Sequence, residues 1–213
     1  MAVILKTEYP GGVSIAVWKV TETMDELLKQ THLSAAEEES FNTSKNEARK
    51  KEWLAVRALL QQLRPARPVI KYKENGKPYL SGSPEGISIS HSGQYIAIAL
   101  GKQAQTGVDI EQIHPKIKRI AERFVNEKEK VFLKESILLE QLCLIWCAKE
   151  VLYKMHPAGM LNFKSNLFVS PFDVTEKGEI EGHIIENSTD KLYMLAYQKI
   201  DNYMLVYALK SQE

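Results

Sequence analysis

Two short segments of this chain recur in the same order, by duplication or by chance. Gly12-Val-Ser-Ile-Ala16 resembles Gly107-Val-Asp-Ile-Glu111, and Trp53-Leu-Ala-Val-Arg-Ala-Leu-Leu60 resembles Trp146-Cys-Ala-Lys-Glu-Val-Leu-Tyr153. The two matches come in the same order and at nearly equal offsets, which predicts a duplicated strand followed by a long helix. Length agrees, because 213 residues is long for one simple domain and short for two ordinary ones. The expected division is an N-terminal half, residues 1–105, and a C-terminal half, residues 106–213.

Hydrophobic spacing fills in the remaining elements. Glu47 to Leu63 reads as a helix, with Leu54, Ala55, Ala58, Leu59 and Leu63 on one buried face. Arg64-Pro-Ala-Arg-Pro68 stops it. Strands are expected at Val13–Val20, Val69–Tyr72, Ile87–Ser90, Tyr95–Leu100 and Gly107–Glu111, with turns at Glu74-Asn75-Gly76 and Ser92-Gly93. Helices should dominate from Lys116 to Met155, one of them opened by an Asn126/Glu129 capping box. Four strands should close the chain, at Phe168–Phe172, Glu179–Ile185, Lys191–Lys199 and Tyr203–Leu209. The fold class is therefore α/β (α+β).

Charge excludes several functions. The 28 basic and 27 acidic side chains leave a formal charge of +1, too little for a non-specific grip on nucleic acid or an anionic membrane. No apolar run approaches the roughly 20 residues of a membrane span. The opening Met1-Ala2-Val3-Ile4-Leu5 lacks the basic n-region of a signal peptide. Cys143 and Cys147 lie four apart on a helix, a spacing for core packing rather than a disulfide. A reduced, cytoplasmic protein is expected.

The informative residues are those in which the two copies differ. Asp109 and Glu111 stand where the first copy has Ser14 and Ala16, and Glu150 stands where it has Arg57. Residues i and i+2 of a strand point the same way, so Asp109 and Glu111 share a face while Val108 and Ile110 face the core. Like charges side by side need a neutraliser. An all-oxygen ligand set suits Mg²⁺, or Mn²⁺, better than zinc. On the helix, Trp146, Glu150 and Lys154 form one stripe at i, i+4 and i+8. A solvated acidic edge and an ordinary surface ion pair have the same spacing.

Taken together these segments resemble the 4'-phosphopantetheinyl transferases. That family's pattern is Gly-(Ile/Val)-Asp-hydrophobic-Glu on a strand, then Trp-x-x-Lys-Glu-x-x-x-Lys on a helix. Upstream, Gly76-Lys77-Pro78-Tyr79-Leu80 and Ile87-Ser-Ile-Ser90-His91-Ser92 are similar to two further segments, with Ser88 where Asn is usual. The resemblance spans about Lys45 to Lys154. Length and duplication fit the Sfp-type, two similar halves related by pseudo-twofold symmetry, a monomer that is a pseudo-dimer in one chain.

The resemblance implies the roles. Asp109, Glu111 and Glu150 would hold a Mg²⁺ bridging the pyrophosphate of coenzyme A. A serine of an apo acyl or peptidyl carrier protein would attack the β-phosphate and release 3',5'-ADP. Lys154 would meet charge at that phosphate or donate a proton to the leaving group, and Glu129 would act as base toward the serine. Lys77, Pro78, Ser90 and His91 would contact the nucleotide. Arg57, and less directly Arg49, would meet the 3'-phosphate, although Glu37-Glu-Glu39 stands where the family often carries basic residues. Ile113 to Phe124 mixes apolar and basic side chains in the pattern of a carrier-docking face or of an ordinary amphipathic helix. Two other readings of the same carboxylates are a Mg²⁺-dependent nucleotide or pyrophosphate hydrolase and a non-catalytic carrier-binding relic. His32, His114 and His183 have no partners at metal spacing, His156 ends a helix before Pro157 where the helix dipole favours a cation, and Ser92 lacks the context of a hydrolase nucleophile.

Overall fold

A computed structural model describes residues 3–9, 12–102, 106–157 and 160–211. The expected boundary between residues 105 and 106 abuts residues 103–105, which lie outside the described residues.

The first half is built on a four-stranded antiparallel sheet. Strands β1 (Val3–Tyr9) and β2 (Val13–Lys19) pair as a hairpin. Helices α1 (Met24–Gln30), α2 (Ala35–Thr43) and α3 (Glu47–Leu63) follow, then the small hairpin β3 (Val69–Tyr72) and β4 (Pro78–Ser81). β5 (Glu85–Ser92) and β6 (Tyr95–Lys102) complete the sheet in the order β1-β2-β6-β5. Sequence reading missed β1 and β4. β1 is an edge strand with no fully buried residue, so burial leaves a weak pattern there. β4 begins with Pro78, which is tolerated in a strand only at such a first or edge position.

The second half opens with β7 (Val108–Gln112). The expected helical stretch after it is broken into a 3₁₀ turn at Pro115–Arg119, the single turns α4 (Ala121–Phe124) and α5 (Glu127–Lys130), and the long helix α6 (Leu138–Met155). β8 (Leu167–Val169), β9 (Lys177–Glu186), β10 (Thr189–Ile200) and β11 (Tyr203–Ser211) then form a five-stranded antiparallel sheet, ordered β7-β11-β10-β9-β8.

Alternation along the strands decides how the layers stack. Ala16 and Trp18 of β2 face α3, against Leu54, Ala58 and Leu59. Val13, Ile15 and Val17 point the other way and join Ala97 and Ala99 against Val108, Ile110, Leu205 and Tyr207. The far face of the second sheet carries α6, through Leu144, Cys147, Val151 and Leu152. The order is helix, sheet, sheet, helix, with the sheets packed through a shared core. Cys143 and Cys147 are buried free thiols, as expected. Among the described residues no helix is long and apolar enough to cross a membrane.

The two matched strands differ in setting. β2 has backbone partners on both sides, whereas β7 pairs only with β11 and is an edge strand. The outer edge of β7 lies beside β5, the edge of the first sheet. One glycine makes the turn of β5 into β6 possible: Gly93 has φ +56°, and a Cβ there would stand 2.3 Å from the Tyr203 hydroxyl oxygen.

Candidate active site

A cavity of about 830 Å³ lies between α3, the β3–β4 hairpin, β5 and the C-terminal end of α6. Arg49, Arg57, Lys77, Pro78 and His91 line it from the first half, and Glu150, Tyr153 and Lys154 from the second. Trp53, Tyr72, Tyr79 and Met160 add apolar wall. Nothing in the sequence marks Tyr72, Tyr79, Tyr153 or Met160 as lining residues, because a lining aromatic and a core aromatic share one spacing.

β7 and α6 meet because Gly107 has no side chain. A Cβ at Gly107 would lie 2.9 Å from the Val151 carbonyl oxygen and 2.9 Å from Met155 Cγ. This approach lets Lys154 reach across to β7, where its Nζ donates to Val108 O at 2.9 Å and to Asp109 Oδ1 at 2.7 Å. Asp109 is buried, accepts from Ser90 Oγ at 2.7 Å on the same oxygen, and leaves Oδ2 buried without a partner. Glu111 accepts from Ser92 Oγ at 2.9 Å, and burial and Asp109 raise its pKa. Glu150 makes no hydrogen bond or ion pair among the described residues. Burial, with Asp109 second and Glu111 a smaller contributor, raises its pKa to about 7 despite Lys154.

The three carboxylates are thus near enough to feel one another, and one is too poorly compensated to stay ionised easily. Among the described residues they do not form a ready-made metal cluster, because Asp109 is turned onto Lys154 and Glu111 onto Ser92. The donor chemistry still fits a hard divalent cation. The set is all oxygen, Asp109 Oδ2 is orphaned in the interior, and the excess negative charge lacks a counter-charge.

Four other expected site residues, Ser90, Arg57, Lys77 and Glu129, are engaged by partners within the fold. Ser90 does not line the cavity; its hydroxyl is spent on β7. Arg57 lines it but is compensated within the first half: its Nε donates to Glu37 Oε1 at 2.9 Å and its guanidinium lies 3.2 Å over the Trp53 ring. Burial lowers the Arg57 pKa. Glu37, the acid that broke the basic pattern, is therefore the arginine's partner, and its Ser34-x-x-Glu37 spacing was the available sign. Lys77 Nζ donates to the carbonyls of Lys154 (3.3 Å) and His156 at the end of α6, where cations are favoured.

Glu129 departs furthest from the expectation. It is fully buried, accepts from Lys149 Nζ at 2.8 Å, from Val169 N at 2.9 Å and from Asn126 N at 2.9 Å, and does not line the cavity. Adjacent helix residues point about 100° apart, so Lys149 turns toward Glu129 as Glu150 turns toward the cleft. The expected capping box is present. An exposed His91, with Nδ1 3.6 Å from Glu52, and the exposed guanidinium of Arg49 complete this side of the cleft.

Away from the cleft, Ser170, His183 and Asp190 form a hydrogen-bonded chain of 3.0 and 2.9 Å. None of the three lines this cavity or the smaller one beside Arg57 and Glu37. The chain joins the end of β8 to β9 and β10 at the sheet edge.

Residues 105–208 match the family described as the 4'-phosphopantetheinyl transferase superfamily. Two curated relatives, both named 4'-phosphopantetheinyl transferase AcpT, come from Salmonella typhi and Escherichia coli strain K12. Each is 42% identical over 69 residues, 32% of this chain and 36% or 35% of the relative. The chain thus spans about a third of the length of the curated relatives it matches.

Proposed function

We propose, on the premise of the match of residues 105–208 to the 4'-phosphopantetheinyl transferase superfamily, that the protein moves the 4'-phosphopantetheine group of coenzyme A onto a serine of an apo acyl or peptidyl carrier protein. The reaction is Mg²⁺-dependent, with Mn²⁺ as a substitute, and releases 3',5'-ADP. The observation that carries the reading is the asymmetry of the cleft. Cations line one wall, and the uncompensated Glu150 lies on the other, beside Lys154 and Asp109.

In this reading residues 1–105 supply nucleotide contacts and residues 106–213 supply the acidic centre. The halves are related by pseudo-twofold symmetry, and one cytoplasmic monomer suffices. Asp109, Glu111 and Glu150 are the residues that would hold the divalent cation. Bound there, the cation supplies charge neutralisation for the pyrophosphate and for the phosphoryl oxygens during transfer. Lys154 carries a positive charge to the same oxygens from the floor of the cleft. Lys77, Pro78, His91 and Arg49 orient the nucleotide end. Glu129 acts through Lys149: the pair fixes the face of α6 next to Glu150 and so sets that carboxylate's direction. The basic 3₁₀ turn Pro115–Arg119 and the adjoining α4 are the surface offered to an acidic carrier.

The test is direct. Incubation with coenzyme A, Mg²⁺ and an apo carrier should add a phosphopantetheine mass to the carrier serine, read by mass spectrometry, with stoichiometric 3',5'-ADP. Consumption of coenzyme A with no modified carrier would move the reading to hydrolysis. Neither product, across several carriers, would overturn it.

A further inference from the structure

The two sheets meet along β5 and β7 without a backbone ladder, and serine side chains take its place. Val108 N donates to Ser88 Oγ at 3.1 Å, Ile110 N to Ser90 Oγ at 3.2 Å, and Gln112 N to Ser92 Oγ at 3.3 Å. Three alternate residues of β5 thus satisfy three alternate amides of β7, at a fixed separation of 20 positions. An edge strand buried against a neighbour needs its free N–H groups paired, and the period of two in Ser88, Ser90 and Ser92 meets that need.

A serine hydroxyl has one hydrogen to give after it has accepted. Ser90 spends it on Asp109 Oδ1 at 2.7 Å and Ser92 on Glu111 Oε2 at 2.9 Å. Each hydroxyl is therefore oriented by a backbone amide on one side and holds a carboxylate on the other. Ser90 is buried, so water does not readily replace it. Ser88 has no carboxylate beside it and serves the backbone alone.

We propose that Ser90 and Ser92 are positioning residues for the acidic centre, fixing the Asp109 and Glu111 carboxylates for a divalent cation while docking β7 onto the first half. This deepens the transferase reading and rests on it for the identity of the cation. The reassignment moves Ser90 from the nucleotide to the carboxylate beneath it. It also explains why a Ser-x-Ser-x-Ser strand stands opposite an Asp-x-Glu strand: the two periods are the same.

The test separates docking from positioning. Mn²⁺ alone is titrated into the full-length protein and free Mn²⁺ is followed by electron paramagnetic resonance, while amide exchange is read at Ile110 and Gln112. Ser90→Ala should weaken Mn²⁺ binding by about tenfold, in the range found when a hydrogen-bond partner of a metal ligand is removed. It should also speed exchange at Ile110, and Ser92→Ala should do the same at Gln112. Ser90→Thr, which keeps the hydroxyl, should restore both readouts. Faster exchange with Mn²⁺ affinity unchanged would reduce the serines to docking and overturn the proposal. Unchanged exchange and affinity would overturn it entirely. If the unsubstituted protein binds no Mn²⁺, the metal reading fails, and unchanged exchange would then remove the ladder as well.

Discussion

Two long helices flank the cleft, and each carries a half-buried or buried ionisable residue four positions after a tryptophan. On α3 it is Arg57 after Trp53, and on α6 it is Glu150 after Trp146. Arg57 is answered within its own half, by Glu37 at 2.9 Å and by the Trp53 ring. Glu150 has no hydrogen bond or ion pair among the described residues, only the charge of Lys154 one turn on, and is pushed toward neutrality. Two positions matched in sequence therefore carry a charge the fold has satisfied in one case and a charge it has left open in the other. An unsatisfied buried charge costs stability, so it persists where something outside the chain compensates it.

The comparison can be broken most decisively at Glu150. Glu150→Gln should reduce transfer by about a thousandfold, equivalent to ~4 kcal/mol of lost charge stabilisation, with the melting temperature held or raised. Full activity in the carrier assay would take Glu150 out of the acidic centre. At the matching position the expected loss is structural. Arg57→Ala strands the Glu37 carboxylate against α3 and should cost about 3 kcal/mol of stability in urea unfolding, while Glu37→Gln with Arg57→Met should recover most of it. A large activity loss in Arg57→Ala at full stability would instead give Arg57 a direct role toward substrate.

The smallest effect is a pH dependence. A carboxyl whose folded pKa of about 7 lies above its ordinary 4.5 keeps its proton longer folded than unfolded. Stability should therefore fall as pH rises from about 4.5 to 7, by roughly 1–3 kcal/mol, since each pKa unit is worth about 1.4 kcal/mol. Thermal melts of the metal-free protein between pH 5 and 8 should show that decline. Glu150→Gln should lose most of it, the remainder belonging to Glu111, and saturating Mg²⁺ should flatten it. Parallel profiles for the two proteins would mean that the fold already compensates Glu150.

Much of this was legible before any coordinates. The period of α3 marked its buried face correctly, because every core position named on it points at one sheet. The i, i+2 spacing put Asp109 and Glu111 on the face opposite Val108 and Ile110, since strand geometry allows no other arrangement. Glu150 and Lys154 shared a stripe for the equivalent helical reason. Reading failed where two distant segments had to be paired. The capping box at Asn126 was seen, but not that Lys149 would close over Glu129 and remove it from the cleft. Arg57 was read as a free cation because its partner lies 20 positions earlier.

By itself, then, the sequence determined which side chains share a face: the acids of β7, the stripe of α6, the serines of β5. These follow from the fixed periods of strand and helix and need no tertiary contact. Only the tertiary structure decided which of those charges are spent. Ser90 on Asp109 joins the two sheets, while Lys149 on Glu129 and Glu37 on Arg57 join helices that pack side by side within one half, and all three are contacts between segments distant in the chain. Periodicity is local and compensation is not, which is why Glu150 could be named from the chain but found uncompensated only in the fold.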